Sequence, residues 1–158
     1  MPNGWPASLA MGLENWSVNE PPAPMETSWL VENGGAVVNV GSAAGLTSVP
    51  FFPTYSASKA ALHSLTQTTR IVLGFQGVAV FGVYAGPIDT DMVRDLTLPK
   101  SAPRDVAAAI LDGVAAGQED IFPDPFARDF GQTYATSPKT AERQIAAMAA
   151  QMRNANAA

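Results

Sequence analysis

Two side chains in the middle of the chain have the types and the spacing for acid–base chemistry. Tyr55 and Lys59 stand at the ends of the run YSASK, and residues four apart lie on the same face of a helix. An ammonium near a phenol favours the phenolate and lowers the phenol pKa from about 10. Such a phenol could exchange protons near neutral pH. On these five residues alone, a surface Tyr–Lys pair without a catalytic role is the more frequent explanation.

A serine upstream makes the catalytic interpretation stronger. Ser42 follows the apolar, β-branched run AVVNV, which glycines bound on both sides and which is typical of a buried parallel strand. Parallel α/β sheets bind ligands outside the carboxyl ends of their strands. The Ser42 hydroxyl could therefore meet Tyr55 across one small substrate. The stretch AGPIDT, residues 85–90, follows the next apolar run in the same way.

Strands and helices alternate along the chain from Gly34 onward. This order predicts an α/β fold with a parallel sheet and right-handed crossovers. The predicted strands are 35–41, 77–84 and 120–123, and the predicted helices are 54–75, 103–117 and 138 to about 154.

The first 33 residues have a different composition. They contain all three tryptophans and the PPAP run, which interrupts any long helix, so only short helical pieces at 7–16 and 25–32 are predicted. We expect two parts: an irregular segment, residues 1–33, and a catalytic half-domain, residues 34–158. Because a bare apolar strand edge invites pairing, we expect residues 1–33 or another chain to cover the edge of strand 35–41.

Three stretches, in this order and at this spacing, resemble the short-chain dehydrogenase/reductase family. They are NVGSAAG at 39–45, YSASKAA at 55–61 and GPIDTDM at 86–92. The resemblance covers about residues 34–123. It implies a truncated doubly wound, Rossmann-like parallel sheet with flanking helices.

The resemblance also implies roles for individual residues. Tyr55 would be the general acid/base, Lys59 would lower its pKa and hold the nicotinamide ribose, and Ser42 would orient the substrate oxygen. Pro87, Ile88 and Thr90 would lie against the nicotinamide of NAD or NADP. The loop from residue 91 to 102 would be a mobile lid over the substrate.

The sequence departs from the family pattern in its nucleotide-binding part. The family's T-G-x-x-x-G-x-G turn has no match, and the only glycines before Gly34 are Gly4 and Gly12. The chain therefore resembles the C-terminal catalytic half of such an enzyme. A fourth catalytic residue, an asparagine, has two candidates, Asn15 and Asn19, for which a surface or capping role is favoured.

Three functions remain open from the sequence. The first is an oxidoreductase acting on a carbonyl or hydroxyl substrate, with its nucleotide-binding part supplied by another chain or an unusual pocket. The second is a cofactor-independent acid/base enzyme, an isomerase, lyase or hydrolase, that uses the same three residues. The third is a non-catalytic, truncated module.

Composition excludes several classes of site and partner. The chain has 158 residues, a net charge of −5, no cysteine and one histidine, His63, for which a helix-interface position is favoured over catalysis. The chain has no basic run of the kind that binds nucleic acid and no apolar run long enough to span a membrane. We do not expect the N-terminus to be a signal peptide. The carboxylates Asp89 and Asp91 are expected to be solvated rather than to bind a metal. We therefore expect a cytoplasmic protein with a small-molecule substrate.

Two patterns concern packing and self-association. Small residues form one face of the predicted helix 54–75, and in the similar family this helix packs against its copy, so we expect a homodimer or higher homo-oligomer; packing within the chain is the alternative. An apolar stripe in the last helix indicates core or interface. The small face comprises Ala57, Ala60, Ala61 and Ser64, and the stripe Ile145, Met148, Ala149 and Met152.

Overall fold

The computed structural model describes residues 27–155. The described residues fall into two units, residues 27–35 and 36–155. Within the first unit, helix α1 (Thr27–Asn33) corresponds to the helical piece predicted at 25–32. The piece predicted at 7–16, and the candidates Asn15 and Asn19, lie outside the described residues, so the predicted character of residues 1–33 stays a prediction.

The second unit contains the parallel sheet that the sequence predicts. Strands β1 (Ala36–Val40), β2 (Ala79–Val83) and β3 (Asp120–Ile121) are ordered β1-β2-β3. All pairs are parallel, with Val40 beside Val83 and Val83 beside Ile121. Strand β2 is central and largely buried, because it pairs on both sides. Each strand is shorter than predicted, since only the residues that pair across the sheet are strand.

Helices cover the two faces of the sheet unequally. Helix α2 (Pro53–Gly74) lies on one face, where the Asn39 side chain donates to Thr66 Oγ1 at 3.0 Å. Helix α3 (Pro103–Ala115) packs on the other face against β2 and β3. On that second face of β1, Val38 and Val40 remain 38% and 56% exposed. Among the described residues no strand pairs with the free edge of β1, so the expected cover stays a prediction.

Two further helices follow the sheet. Helix α4 (Pro125–Thr136) was not predicted, although Asp124 caps it and Pro125 occupies its first turn, which is a start signal that the sequence carries. Helix α5 (Pro138–Ala155) matches the predicted last helix. Within residues 27–155, no helix combines the length and the apolar character needed to cross a membrane.

Two apolar clusters hold these layers together. One joins buried Phe81, Val83 and Ile121 of the sheet to α3. The other joins α4 and α5 to a short 3₁₀ turn (Ala43–Gly45) through Ala43, Phe130, Ala141 and Ile145. The second cluster includes the 3₁₀ turn that follows β1. It therefore lies beside the candidate catalytic residues.

Candidate active site

Ser42 is held at the carboxyl end of β1 by hydrogen bonds that continue the ladder beyond the strands. The Gly41 N–H donates to Val83 O at 2.8 Å, and the Ala43 N–H donates to Ala85 O at 2.9 Å. The Ser42 hydroxyl donates to Ala85 O and accepts from the Ala44 N–H, each at 3.2 Å. Its oxygen is thus fixed where β1 and β2 end together.

Tyr55 and Lys59 lie in the first turns of α2, as the spacing predicts. The Lys59 Nζ is 5.7 Å from the centroid of the Tyr55 ring and donates to Val40 O at 3.1 Å. Lys59 therefore ties the start of α2 to the end of β1 while it stands beside the phenol.

Gly45 allows this close approach. A Cβ atom at Gly45 would lie 2.5 Å from the Lys59 carbonyl oxygen, a distance at which α2 would have to move. Only glycine lets the 3₁₀ turn after Ser42 touch the helix backbone. The contact keeps Ser42 and Tyr55 on neighbouring segments.

Ser42, Tyr55 and Pro87 line one cavity of about 350 Å³. The structure thus brings together the serine, the tyrosine and one of the three residues expected against the nicotinamide. Lys59, Ile88 and Thr90 do not line this cavity. Lys59 instead stands at the tyrosine ring.

The segment after β2 is anchored by a residue that sequence reasoning missed. Asp124, which is 1% exposed, accepts from the Gly86 N–H at 2.7 Å and from the Ala127 N–H at 2.9 Å. The same carboxylate therefore caps α4 and holds the Gly-Pro turn at the cavity. The capping signal was readable in the sequence, but the bond to Gly86 joins residues far apart in the chain.

The loop expected to be a lid begins and ends close together. The Asp89 N–H donates to Ser101 O at 2.9 Å, and the Ser101 N–H donates to Pro87 O at 3.0 Å. Between them lies a 3₁₀ turn (Asp91–Val93), and apolar residues of the loop line the cavity. The mobility of this loop stays a prediction.

His63 occupies an interface between α2 and the sheet. Its Nδ1 is 2.7 Å from the Tyr84 hydroxyl oxygen, and the two rings meet edge to face. Burial raises the pKa of Tyr84 to about 12; Asp120 adds to the increase and Arg70 opposes it. His63 is not among the residues that line the cavity, which agrees with a packing role.

No metal centre is found among residues 27–155, since no three His, Asp or Glu side chains are grouped to hold an ion. Asp89 and Asp91 are both exposed, and Asp91 pairs with Arg94 on the same turn. Both carboxylates are therefore open to solvent, and Asp91 also interacts with the Arg94 guanidinium.

The fold is that of an α/β protein with a parallel sheet and flanking helices, and comparison with known proteins gives the family. The sequence model described as short chain dehydrogenase matches residues 24–101. A short-chain dehydrogenase of Burkholderia cenocepacia, solved in complex with NADP, superimposes with a TM-score of 0.70 at 32% identity, over 75% of this chain and 50% of that one. The matched part of the chain, residues 24–101, belongs to the short-chain dehydrogenase family.

Two curated relatives share shorter stretches. An uncharacterized NAD-dependent oxidoreductase of Mycobacterium tuberculosis is 44% identical over 62 residues, which are 39% of this chain and 22% of the relative. An NADPH-dependent 1-acyldihydroxyacetone phosphate reductase of Saccharomyces cerevisiae is 33% identical over 76 residues, 48% of this chain and 26% of the relative. The matched part thus spans about a quarter of each relative's length.

Two observations bear on a dinucleotide site. Pro87 lines the cavity, and the Ile88 N–H makes no hydrogen bond within the described part of the chain. A pyrophosphate group usually needs a glycine-rich turn at a helix N-terminus, and the sequence contains no T-G-x-x-x-G-x-G segment. The described residues include no such turn for the pyrophosphate, and the binding of NAD(P) by this chain stays a prediction.

Proposed function

We propose that this chain carries the proton-transfer site of an oxidoreductase that interconverts a carbonyl and a hydroxyl on a small-molecule substrate. Tyr55 is the acid/base, and Ser42 orients the substrate oxygen. Lys59 positions the Tyr55 phenol and places a positive charge beside it. The observation that carries the proposal is that the Ser42 and Tyr55 side chains line the same cavity while Lys59 stands at the tyrosine ring.

The proton transfer follows from the chemistry of these groups. A carbonyl oxygen in the cavity can accept from Ser42, whose hydroxyl turns from Ala85 O, and from the Tyr55 hydroxyl. Tyr55 then gives its proton to the oxygen as a C–H bond forms at the carbon. The Lys59 ammonium, held by Val40 O, stabilises the phenolate that remains. The apolar walls strengthen these interactions, because charge is poorly screened there.

The redox partner proposed for this site is NAD or NADP. A nicotinamide supplies the hydride for reduction and accepts it for oxidation. Tyr55, Lys59, Pro87, Ile88 and Thr90 would hold the nicotinamide end. Support comes from the names of the matched relatives, which include both NAD- and NADPH-dependent enzymes. The phosphates would have to be held by residues other than those described.

The test combines dinucleotide binding with one conservative substitution. Calorimetric titration with NADH and NADPH measures whether either one binds the purified chain. Tyr55→Phe should lower carbonyl reduction by about 100-fold or more, the usual contribution of a general acid, with an unchanged circular dichroism spectrum. Tyr134→Phe removes a phenol hydroxyl that does not line the cavity, and it should retain full activity.

Three results would redirect the proposal. Reduction that persists in Tyr55→Phe would rule out the acid/base role. Isomerase, lyase or hydrolase turnover without any dinucleotide would favour the cofactor-independent enzyme. A chain that binds neither dinucleotide and turns over no carbonyl, ester or enolisable substrate would be the non-catalytic module.

We also propose that two copies associate through the outer face of α2. The small residues expected there, such as Ala57 and Ala61, are exposed. Ile71 of the same helix is 63% exposed, and Phe75, directly after the helix, is 88% exposed. Exposed apolar surface of this kind favours association.

Light scattering at micromolar concentration tests this assembly. We expect a dimer or larger species that Ala61→Glu dissociates, whereas Ala107→Glu, an equal change on exposed α3 surface, leaves it intact. A folded species of 16.5 kDa for the unmodified chain would contradict the assembly.

A further inference from the structure

The cavity at Ser42 and Tyr55 has walls made of apolar side chains from α4, α5 and the loop after β2. Four α5 residues line it at the i, i+3, i+4, i+7 spacing of one helix face, which extends over about 10 Å of helix. These residues are Ile145, Met148, Ala149 and Met152. Phe126 and Phe130 of α4 stack in parallel beside them, with ring centroids 6.2 Å apart.

Few polar groups face this cavity. Among the lining residues that the structure describes, only Ser42, Thr47 and Tyr55 carry polar side chains, and none is charged. A carboxylate, phosphate or ammonium placed here would lose its hydration without gaining a partner. The walls therefore offer hydrogen bonds to one oxygen region of a substrate and apolar contact to the rest.

The rim of the cavity is apolar too. Phe51, Phe52 and Met92 line the cavity, yet they remain 48%, 42% and 74% exposed. Large apolar side chains left exposed around a concave site indicate that an apolar ligand covers them. Flexible methionine side chains, present at the rim and on α5, can adapt to hydrocarbon groups of different shape.

We infer that the substrate is an uncharged ketone or secondary alcohol whose reacting carbon bears a long or bulky hydrocarbon group, and that α5 sets this preference. The position of the reacting oxygen rests on the proposed function, whereas the preference for hydrocarbon is a property of the walls. The family model matches residues 24–101, so α4 and α5 lie outside the matched segment.

A homologous series of probes tests the preference on the full chain. Calorimetry would measure the Kd of acetophenone, butyrophenone, hexanophenone and octanophenone. Each methylene that enters an apolar site should tighten binding about fourfold. The charged analogue 4-octanoylbenzoate should bind at least about tenfold more weakly than octanophenone. A Kd that does not change along the series, or equal binding of the charged analogue, would overturn the inference.

Paired substitutions locate the preference. Ala149→Asp places a carboxylate in the lining, whereas Ala147→Asp makes the same change at an exposed α5 position that does not line the cavity. We expect at least about a tenfold loss of octanophenone affinity in the first and no change in the second. If Ala149→Asp fails to fold, Met92→Asp on the exposed rim tests the same point, with Thr97→Asp as its control. Equal effects within either pair would refute the role of these walls.

The experiment separates this inference from the proposed function. Tyr55→Phe keeps the aromatic ring in the wall, so the dependence of Kd on chain length should persist while reduction is lost. Reduction without any dependence on chain length would overturn the substrate class alone. Binding that depends on chain length, without reduction that depends on Tyr55, would overturn the proposed catalytic function alone.

Discussion

Replacing Asp124 by alanine should destabilise the protein and loosen the cavity wall at the same time. The carboxylate is buried and accepts two backbone N–H groups, one from Gly86 after β2 and one from Ala127 in the first turn of α4. Loss of a helix cap costs about 1 kcal/mol. A Gly86 N–H left without its partner costs a further 1–3 kcal/mol or so. The free energy of unfolding should therefore fall by about 2–4 kcal/mol.

Urea denaturation followed by circular dichroism measures this change. Asp124→Asn retains one acceptor oxygen in the same position, so it should lose about half as much stability. Asp129→Ala on the exposed side of α4 is the matched control and should stay within about 0.5 kcal/mol of the unmodified chain. Hydrogen exchange should accelerate at the Gly86 and Ala127 amides in Asp124→Ala.

Equal stability of Asp124→Ala and Asp129→Ala, or unchanged exchange rates of the two amides, would contradict this prediction. Either result would mean that the buried carboxylate neither caps α4 nor holds the turn after β2. A loss of stability confined to α4, with Gly86 still protected, would show that the cap alone matters.

The remaining predictions concern the layers around the site. Arg70 donates to Val80 O of β2 at 3.0 Å and to Glu119 O, directly before β3, at 2.8 Å. Because these bonds link the two strands, Arg70→Met should lower the free energy of unfolding by about 1–3 kcal/mol. Arg104→Met, on the exposed surface of α3, should lower it hardly at all, and equal losses in the two variants would refute this role of Arg70. The folded protein keeps the Tyr84 proton to about pH 12, whereas the unfolded chain loses it near 10. Stability should consequently fall by about 1.4 kcal/mol per pH unit across that interval, and Tyr84→Phe should abolish this component of the alkaline loss in pH-dependent denaturation. Gly45→Ala, whose Cβ would meet the backbone of α2, should lower the thermal midpoint and carbonyl reduction together, whereas Gly74→Ala, which meets no atom within 4 Å, should lower neither.

Local patterns were sufficient for the elements that they describe. The runs that became β1 and β2 were identified because glycines bound them and because apolar residues fill both faces of a buried parallel strand. The extent of α2 was readable from the run without glycine or proline from Thr54 to Leu73, and helical periodicity alone put Tyr55 beside Lys59. Helix α4 is not among the elements predicted from the sequence, although Asp124 and Pro125 mark its start.

Contacts between distant segments decided the rest. The bond from Asp124 to Gly86, the packing of His63 against Tyr84 and the meeting of the 3₁₀ turn with α2 each join segments remote in the chain. The sequence alone therefore determined which residues could do the chemistry and on which elements they lie, since both depend on near neighbours. Only the tertiary structure decided which helices enclose the cavity. The α5 stripe is an apolar helix face in sequence, and it becomes part of the cavity lining because α4 and the turn after β1 pack beside it.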